Sequence, residues 1–254
     1  MVSSLDKRFW EIDFLRGFAV LMMILFHLLY DLNHFGNYDL NLRSGFWMYF
    51  GRLTAMIFIF LAGVSLTLSF SRSIAKNRSQ SEIILRNIKR GLKIFSWGVI
   101  ITIITYILLP EGVIYFGILH FIGFSIILSY PFLRLGYANI FAGFVCALAA
   151  IHINAINVDN LWLLWLGMAP QGLYSFDYFP LLPWFGIVLF GIFAGNMLYH
   201  DYSRIADVPD LTGNGAVRMF CMIGQHSLLI YLIHQPILII LLYVTGIADP
   251  SILQ

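Results

Sequence analysis

The sequence predicts an all-α, polytopic bundle of transmembrane helices with about seven to eight spans, and three observations predict it. Hydrophobic residues make up 60% of the chain and charged ones 11%, with a mean hydropathy of +0.83, which leaves too little polar surface for a soluble globule. Apolar runs of bilayer-crossing length recur from one end of the chain to the other. Between two of them lies a basic segment, 72–93, carrying Arg72, Lys76, Arg78, Arg86, Lys89, Arg90 and Lys93 against Glu82 as its one acid.

Taken in order, the spans fall at 14–33, 46–70, 92–109, 113–133, 137–154, 181–199 and 219–246. The first opens with Glu11, Asp13 and Arg16, runs uncharged to His27, and closes on Tyr30 and Asp31. It ends in a carboxylate and not in a small-residue cleavage site, so it is expected to stay as a helix. At 1.5 Å per residue His27 lies about 16 Å from Arg16 along the axis, near the middle of a hydrocarbon core roughly 30 Å thick. An ionisable residue at that depth is a functional-site candidate. Asp31, one turn further, shares its face and is expected to hydrogen-bond the imidazole. Arg52, entering the second span from the same side, competes for that carboxylate.

The basic segment 72–93 orients the chain with its N-terminus in the cytoplasm. Turns at Glu111 and at Asn154 to Asn160 then fall outside, and Arg134 falls inside. The loop from His200 to Arg218, with Arg204 and Arg218, also falls inside. His120 lies about nine residues down from the Glu111 turn, at a depth near that of His27. The run LWLLWLGMAP at 161–170 is too short to cross and leads into the turn-rich QGLYSFDYFP, so 161–180 reads as a re-entrant or outer-surface segment. An eighth full span there is the alternative. The last run is long for one span, contains GQHS and HQP, and is expected to tilt or to kink ahead of Pro236.

Other features have plain structural readings. Gly17, Gly63, Gly117, Gly123, Gly186, Gly191 and Gly195 suit close helix packing, and none resembles a phosphate-binding loop. Trp162, Trp165, Tyr174, Tyr178 and Trp184 suit an interfacial belt. Cys146 and Cys221 sit in or beside apolar runs without disulfide or zinc spacing, and no metal is expected. A net charge of +2 gives no reason to expect nucleic acid. No repeat or long loop divides residues 1–254, which read as one domain.

Arg16, ten residues and then His27 resemble the Arg-x10-His motif that opens the membrane acyltransferase-3 proteins. The wider stretch IDFLRGFAVLMMILFHLLYDL resembles still more closely the heparan-alpha-glucosaminide N-acetyltransferase catalytic-domain family of prokaryotic membrane proteins. FIFLAGVSLTLSFSRS and RNIKRGLKIF are similar to the second span and the basic start of the third in both families. YFGILHFIGFSIIL and DYFPLLPWFGIVLFG resemble later spans of the second family, and SLLIYLIHQPIL resembles the closing helix of the first.

The resemblance implies a transmembrane acyltransferase-like domain in the prokaryotic cell membrane. It would move an acyl group from cytoplasmic acetyl-CoA or another acyl-CoA to an extracytoplasmic glycan or lipid-linked acceptor. Arg16 with Arg72, Arg86, Arg90 and Lys93 would hold the nucleotide phosphates, and the pantetheine arm would reach His27 as general base, with Asp31 fixing its tautomer. Arg52, His120, Asp177 and Trp184 would receive the acceptor. In the lysosomal branch the corresponding histidine lies further along, and His34 is the nearest one here, so His27 and His34 are both catalytic candidates. Self-association as a homodimer stays open. Two other classes use the same residues: a transporter or flippase with Asp31, Arg52 and midplane histidines as a relay, and a b-type haem protein ligated by His27 and His120.

Overall fold

The computed structural model describes residues 5, 8–36, 38–153, 155–156 and 158–247. Asn154 and Asn157 of the expected outer turn lie outside the described residues. The rest is built on eight α-helices, as an all-α class requires: α1 (Trp10–Phe35), α2 (Gly45–Ala75), α3 (Gln80–Leu108), α4 (Ile118–Leu128), α5 (Ala138–Ile153), α6 (Leu181–Leu198), α7 (Gly215–Gln225) and α8 (Ser227–Val244). The described strands are β1 (Tyr199–His200) and β2 (Ser203–Arg204), a hairpin turned by Asp201 and Tyr202 at positive φ.

Five helices, α1, α2, α3, α6 and α8, are long and apolar enough to cross a membrane, which makes this an integral membrane protein. The count is lower than the expected seven to eight because one apolar run is broken into short pieces and another forms a helix of 16 residues. Within 113–133 only the 11 residues of α4 are α-helical, between a 3-10 turn at Pro110–Gly112 and another at Tyr130–Arg134. Pro110 and Pro131 bring no backbone N–H to a helical ladder, so the chain turns near each. α5, with 16 residues, is likewise apolar but short.

The last run differs in another way. It divides at His226 into α7 and α8, ten residues ahead of Pro236, which α8 accommodates within its length. The His226 backbone N–H and ring Nδ1 both reach the Met222 carbonyl, so the side chain competes for the ladder where the break occurs. The segment 161–180 forms no helix. An eighth helical span there is set aside, since backbone crossing lipid must satisfy its own hydrogen bonds. Besides turns of its own, it bonds to neighbouring segments: Phe176 N–H to the Gly112 carbonyl and Phe179 N–H to that of Phe116, while the Trp165 carbonyl accepts the Leu181 N–H.

The described chain packs as two compact units, Met1–Phe58 with Val208–Gln254, and Ile59–Asp207; α2 begins in the first and ends in the second. In the first unit α1 lies against α7 and α8. Its Gly17 faces the Phe220 backbone and Gly224 faces that of Asp13, so the two backbones touch. In the second unit α3 meets α4 at Gly91 and Gly123, α5 meets α6 at Gly143 and Gly186, and α2 meets α6 at Gly63 and Gly191. A Cβ on Gly63 would collide with the Val188 carbonyl and come to 2.9 Å from the Ile192 nitrogen. Backbone, unlike a flexible side chain, cannot yield, which is why small residues mark membrane helix crossings. Gly63→Leu is therefore expected to abolish a monodisperse folded peak in detergent chromatography. Gly215→Ala, where a Cβ meets nothing within 4 Å, is expected to leave that peak unchanged.

α3 starts on a capping box in which Ser79 Oγ accepts from Glu82 N–H at 3.3 Å while Glu82 Oε2 accepts from Ser79 N–H at 3.0 Å. This places Arg86, Arg90 and Lys93 on exposed positions of a well-anchored helix start.

Candidate functional site

The first unit gathers the chemistry in two layers along α1. The lower layer surrounds Asp13, which is 3% exposed. Arg8 grips it in a fork, Nε to Oδ2 at 2.8 Å and Nη2 to Oδ1 at 3.1 Å. Arg16 Nη1 donates to Oδ1 at 3.1 Å and Gln225 Nε2, from the end of α7, donates to Oδ2 at 3.2 Å. One carboxylate therefore holds two guanidiniums, groups whose planar fork suits phosphate oxygens. Spacing alone explains Arg16, three residues on from Asp13; Arg8 reaches back from ahead of the helix, and Gln225 comes from a distant part of the sequence.

The upper layer lies about 16 Å further along α1, where it runs beside α8. His27 and His234 meet there edge to face, ring centroids 4.9 Å apart and planes at 68°. His27 Nδ1 is 2.9 Å from the Met23 carbonyl, and His234 Nδ1 is 2.6 Å from the Tyr231 carbonyl. A carbonyl accepts only, so each Nδ1 carries the proton and each Nε2 presents the basic lone pair. One turn on, Gln235 Nε2 donates to Asp31 Oδ1 at 2.6 Å. The pairs His27 with His234, Asp31 with Gln235, and Phe35 with Leu242 ascend together, so α1 and α8 run parallel.

Asp31 neither orients His27 nor pairs with Arg52; its Oδ2 has no hydrogen-bond partner. The reason is helical geometry. Side chains lean toward the helix N-terminus, so the imidazole lies over the turn holding Met23 and away from Asp31. Met23 thereby performs the tautomer-fixing expected of Asp31. Asp31 is 0% exposed and His234 is 7% exposed, and their Oδ2 and Nε2, with Gln235 Oε1, are buried polar atoms with no hydrogen-bond partner. A buried polar atom left without a partner costs about 1–3 kcal/mol.

The other sequence-predicted residues are dispersed. His34 is exposed near the end of α1, its ring stacked on Tyr30 at 6.1 Å. Arg52 is exposed on α2 beside Gly51. In the second unit Arg72 lies over the Tyr202 ring, 5.8 Å from its centroid. His120 has both ring nitrogens engaged: Nδ1 accepts from Gly117 N–H at 3.2 Å, and Nε2 lies 3.4 Å from Thr102 Oγ1. With Phe95 and Phe116 against its ring, it ties α4 to α3 and has no nitrogen left for a haem. Asp177 Oδ2 accepts the Ile118 N–H at 2.9 Å, satisfying a free donor at the start of α4. Trp184 packs on Phe179 at 4.8 Å. Tyr178 donates to the Leu164 carbonyl at 2.8 Å, and burial pushes its phenol up to about 12. Among the described residues, no three His, Cys, Asp or Glu side chains group as metal ligands.

His234, Gln235, Asp13, Arg8 and Gln225 are the site residues that sequence reading missed. The signal for the first two was present as HQP, two polar side chains inside an apolar run. Asp13 was visible as an acid near the start of a span, but its partners are set by tertiary contact.

A family model described as heparan-alpha-glucosaminide N-acetyltransferase, catalytic, matches residues 8–236. No curated protein and no solved structure matches the chain. The matched region begins at Arg8 of the Asp13 cluster and ends at Pro236, just past His234 and Gln235, so both layers fall inside it. The chain belongs to the heparan-alpha-glucosaminide N-acetyltransferase catalytic-domain family.

Proposed function

We propose that this protein is a membrane acetyltransferase that takes an acetyl group from acyl-CoA on the cytoplasmic side. It delivers that group to an amine or hydroxyl of an extracytoplasmic sugar or envelope acceptor. The observation that carries this reading is the pairing along α1 of an arginine cluster with a tautomer-locked histidine about 16 Å away. Arg16, held by Asp13 and joined by Arg8, binds the phosphates of the donor. Arg72, Arg86, Arg90 and Lys93 belong to the other compact unit. The pantetheine arm runs along α1 and brings the thioester to His27.

His27 Nε2 then removes the proton from the attacking N–H or O–H. The new bond forms at the thioester carbon, the C–S bond breaks, and the thiolate leaves with that proton as the free thiol. The Met23 carbonyl keeps Nδ1–H in place and steadies the imidazolium as it forms. Whether His34 substitutes for His27 is decided by exchanging each for glutamine.

Acetyl-CoA binding to detergent-purified protein, measured by calorimetry, tests the donor half. Loss of one charge-assisted phosphate contact in Arg16→Ala is expected to weaken binding about 10- to 100-fold, while His27→Ala binds as wild type does. Absence of acyl-CoA binding by folded wild-type protein would overturn the proposal. It would favour the transporter reading, with Asp31 and His27 as a proton relay.

A further inference from the structure

Three buried polar atoms without a hydrogen-bond partner fall on one short stretch of the α1/α8 seam: His234 Nε2, Gln235 Oε1 and Asp31 Oδ2. Each is left over for a definite reason. His234 spends its N–H on the Tyr231 carbonyl, and the Gln235 amide spends an N–H on Asp31 Oδ1. What remains is a set of acceptors, with the second basic lone pair of His27 on the facing ring. Such a set can be satisfied only by a molecule that brings donors.

We infer that His234, Gln235 and Asp31 form the seat for the nucleophile of the acyl transfer, an N–H or O–H group, with His234 a second catalytic base beside His27. The inference rests on the acetyltransferase reading and adds to it the residues that touch the acceptor. Gln235 and Asp31 receive the acceptor's donors and aim its nucleophilic atom at the thioester carbon. The proton released on attack passes to one of the two imidazole Nε2 atoms and then to the departing thiolate. The pair therefore returns to its starting state.

The reading also explains why the seam is polar where an all-apolar helix contact would be more stable. Leucines at 31, 234 and 235 would pack against each other without loss; three acceptors do not. Polar atoms retained in a buried seam without mutual satisfaction are a mark of a site whose partner arrives from outside the chain.

The test uses the full chain in detergent, with thiol release from acetyl-CoA followed between pH 5.5 and 9. Water, glucose or glucosamine serves as the acceptor, and the acetyl-CoA affinity of every variant is measured by calorimetry. His234→Gln is expected to bind acetyl-CoA within about twofold of wild type and to lose about 100-fold in rate. Gln235→Leu, which keeps both imidazoles, is expected to raise the KM for the acceptor about tenfold with kcat little changed. Mass spectrometry of the product, N-acetyl or O-acetyl, identifies which donor the seat takes. A folded His234→Gln with the wild-type rate overturns the second base. A wild-type acceptor KM in Gln235→Leu overturns the seat. Failure of wild type to bind acetyl-CoA appears in the calorimetry alone and removes the reading beneath both.

Discussion

Replacing His27 with glutamine is expected to cut acetyl transfer by about 10²- to 10⁴-fold while acetyl-CoA affinity stays within about twofold. The two effects separate because the groups that serve them lie at different levels of α1. Donor phosphates are held around Arg16, and proton transfer happens about 16 Å away. Glutamine keeps a polar side chain of similar reach, so the contact with His234 and the hydrogen bond toward Met23 are perturbed least. What disappears is the Nε2 lone pair that takes the proton from the nucleophile. Single-turnover release of thiol from acetyl-CoA measures the chemical step without product release. The same substitution at His34 decides between the two histidines. If His34→Gln slows the chemical step and His27→Gln does not, the exposed residue at the end of α1 takes the role.

A large stability effect is expected from Asp13→Ala. Asp13 accepts from Arg8, Arg16 and Gln225, and its side chain is 4% exposed. Removing it takes from Arg16, whose side chain is 20% exposed, the carboxylate that accepts its Nη1. Breaking one side of a buried ion pair costs about 3–5 kcal/mol. Arg8, 59% exposed, turns to water when its partner is lost, so its own removal should cost under about 1 kcal/mol. The expected order in a detergent thermal melt is therefore wild type, then Arg8→Ala slightly below it, then Asp13→Ala far below. Acetyl-CoA affinity should fall in Asp13→Ala as well, because Arg16 loses the group that holds its guanidinium. An Asp13→Ala protein that melts with wild type would mean the cluster is solvated and that Arg16 needs no anchor.

The local patterns were legible where physics acts along the chain. Hydropathy marked every helix long enough to cross a membrane. Of the glycines singled out, Gly17, Gly63, Gly123, Gly186 and Gly191 do stand at helix contacts, because close approach of two backbones excludes a Cβ whatever the partner. Gly117 differs: it faces Asp177 in the approach to α4 and not another helix. The expected hydrogen bond between His27 and Asp31 failed on direction. Equal spacing by one turn permits a contact in either sense, and the backward tilt of helical side chains chooses Met23. Asp177 and His120 could not be recognised as structural in advance, since the atoms they bind, the Ile118 and Gly117 N–H groups, have no sequence signature.

By itself, the sequence determined an all-helical membrane protein, its family, a basic segment ahead of the third helix, and a histidine eleven residues beyond Arg16. The family is legible as a resemblance carried by whole stretches of sequence, and the rest follows from composition or from spacing along one helix, where neighbours are known in advance. Only the tertiary structure decided that Gln225 reaches Asp13, that α8 breaks from α7 at His226, and that His234 and Gln235 lie beside His27 and Asp31. Those pairings join residues about 200 positions apart. Their register is set by the glycine contact between α1 and α7 and by the parallel course of α8, which no local pattern encodes.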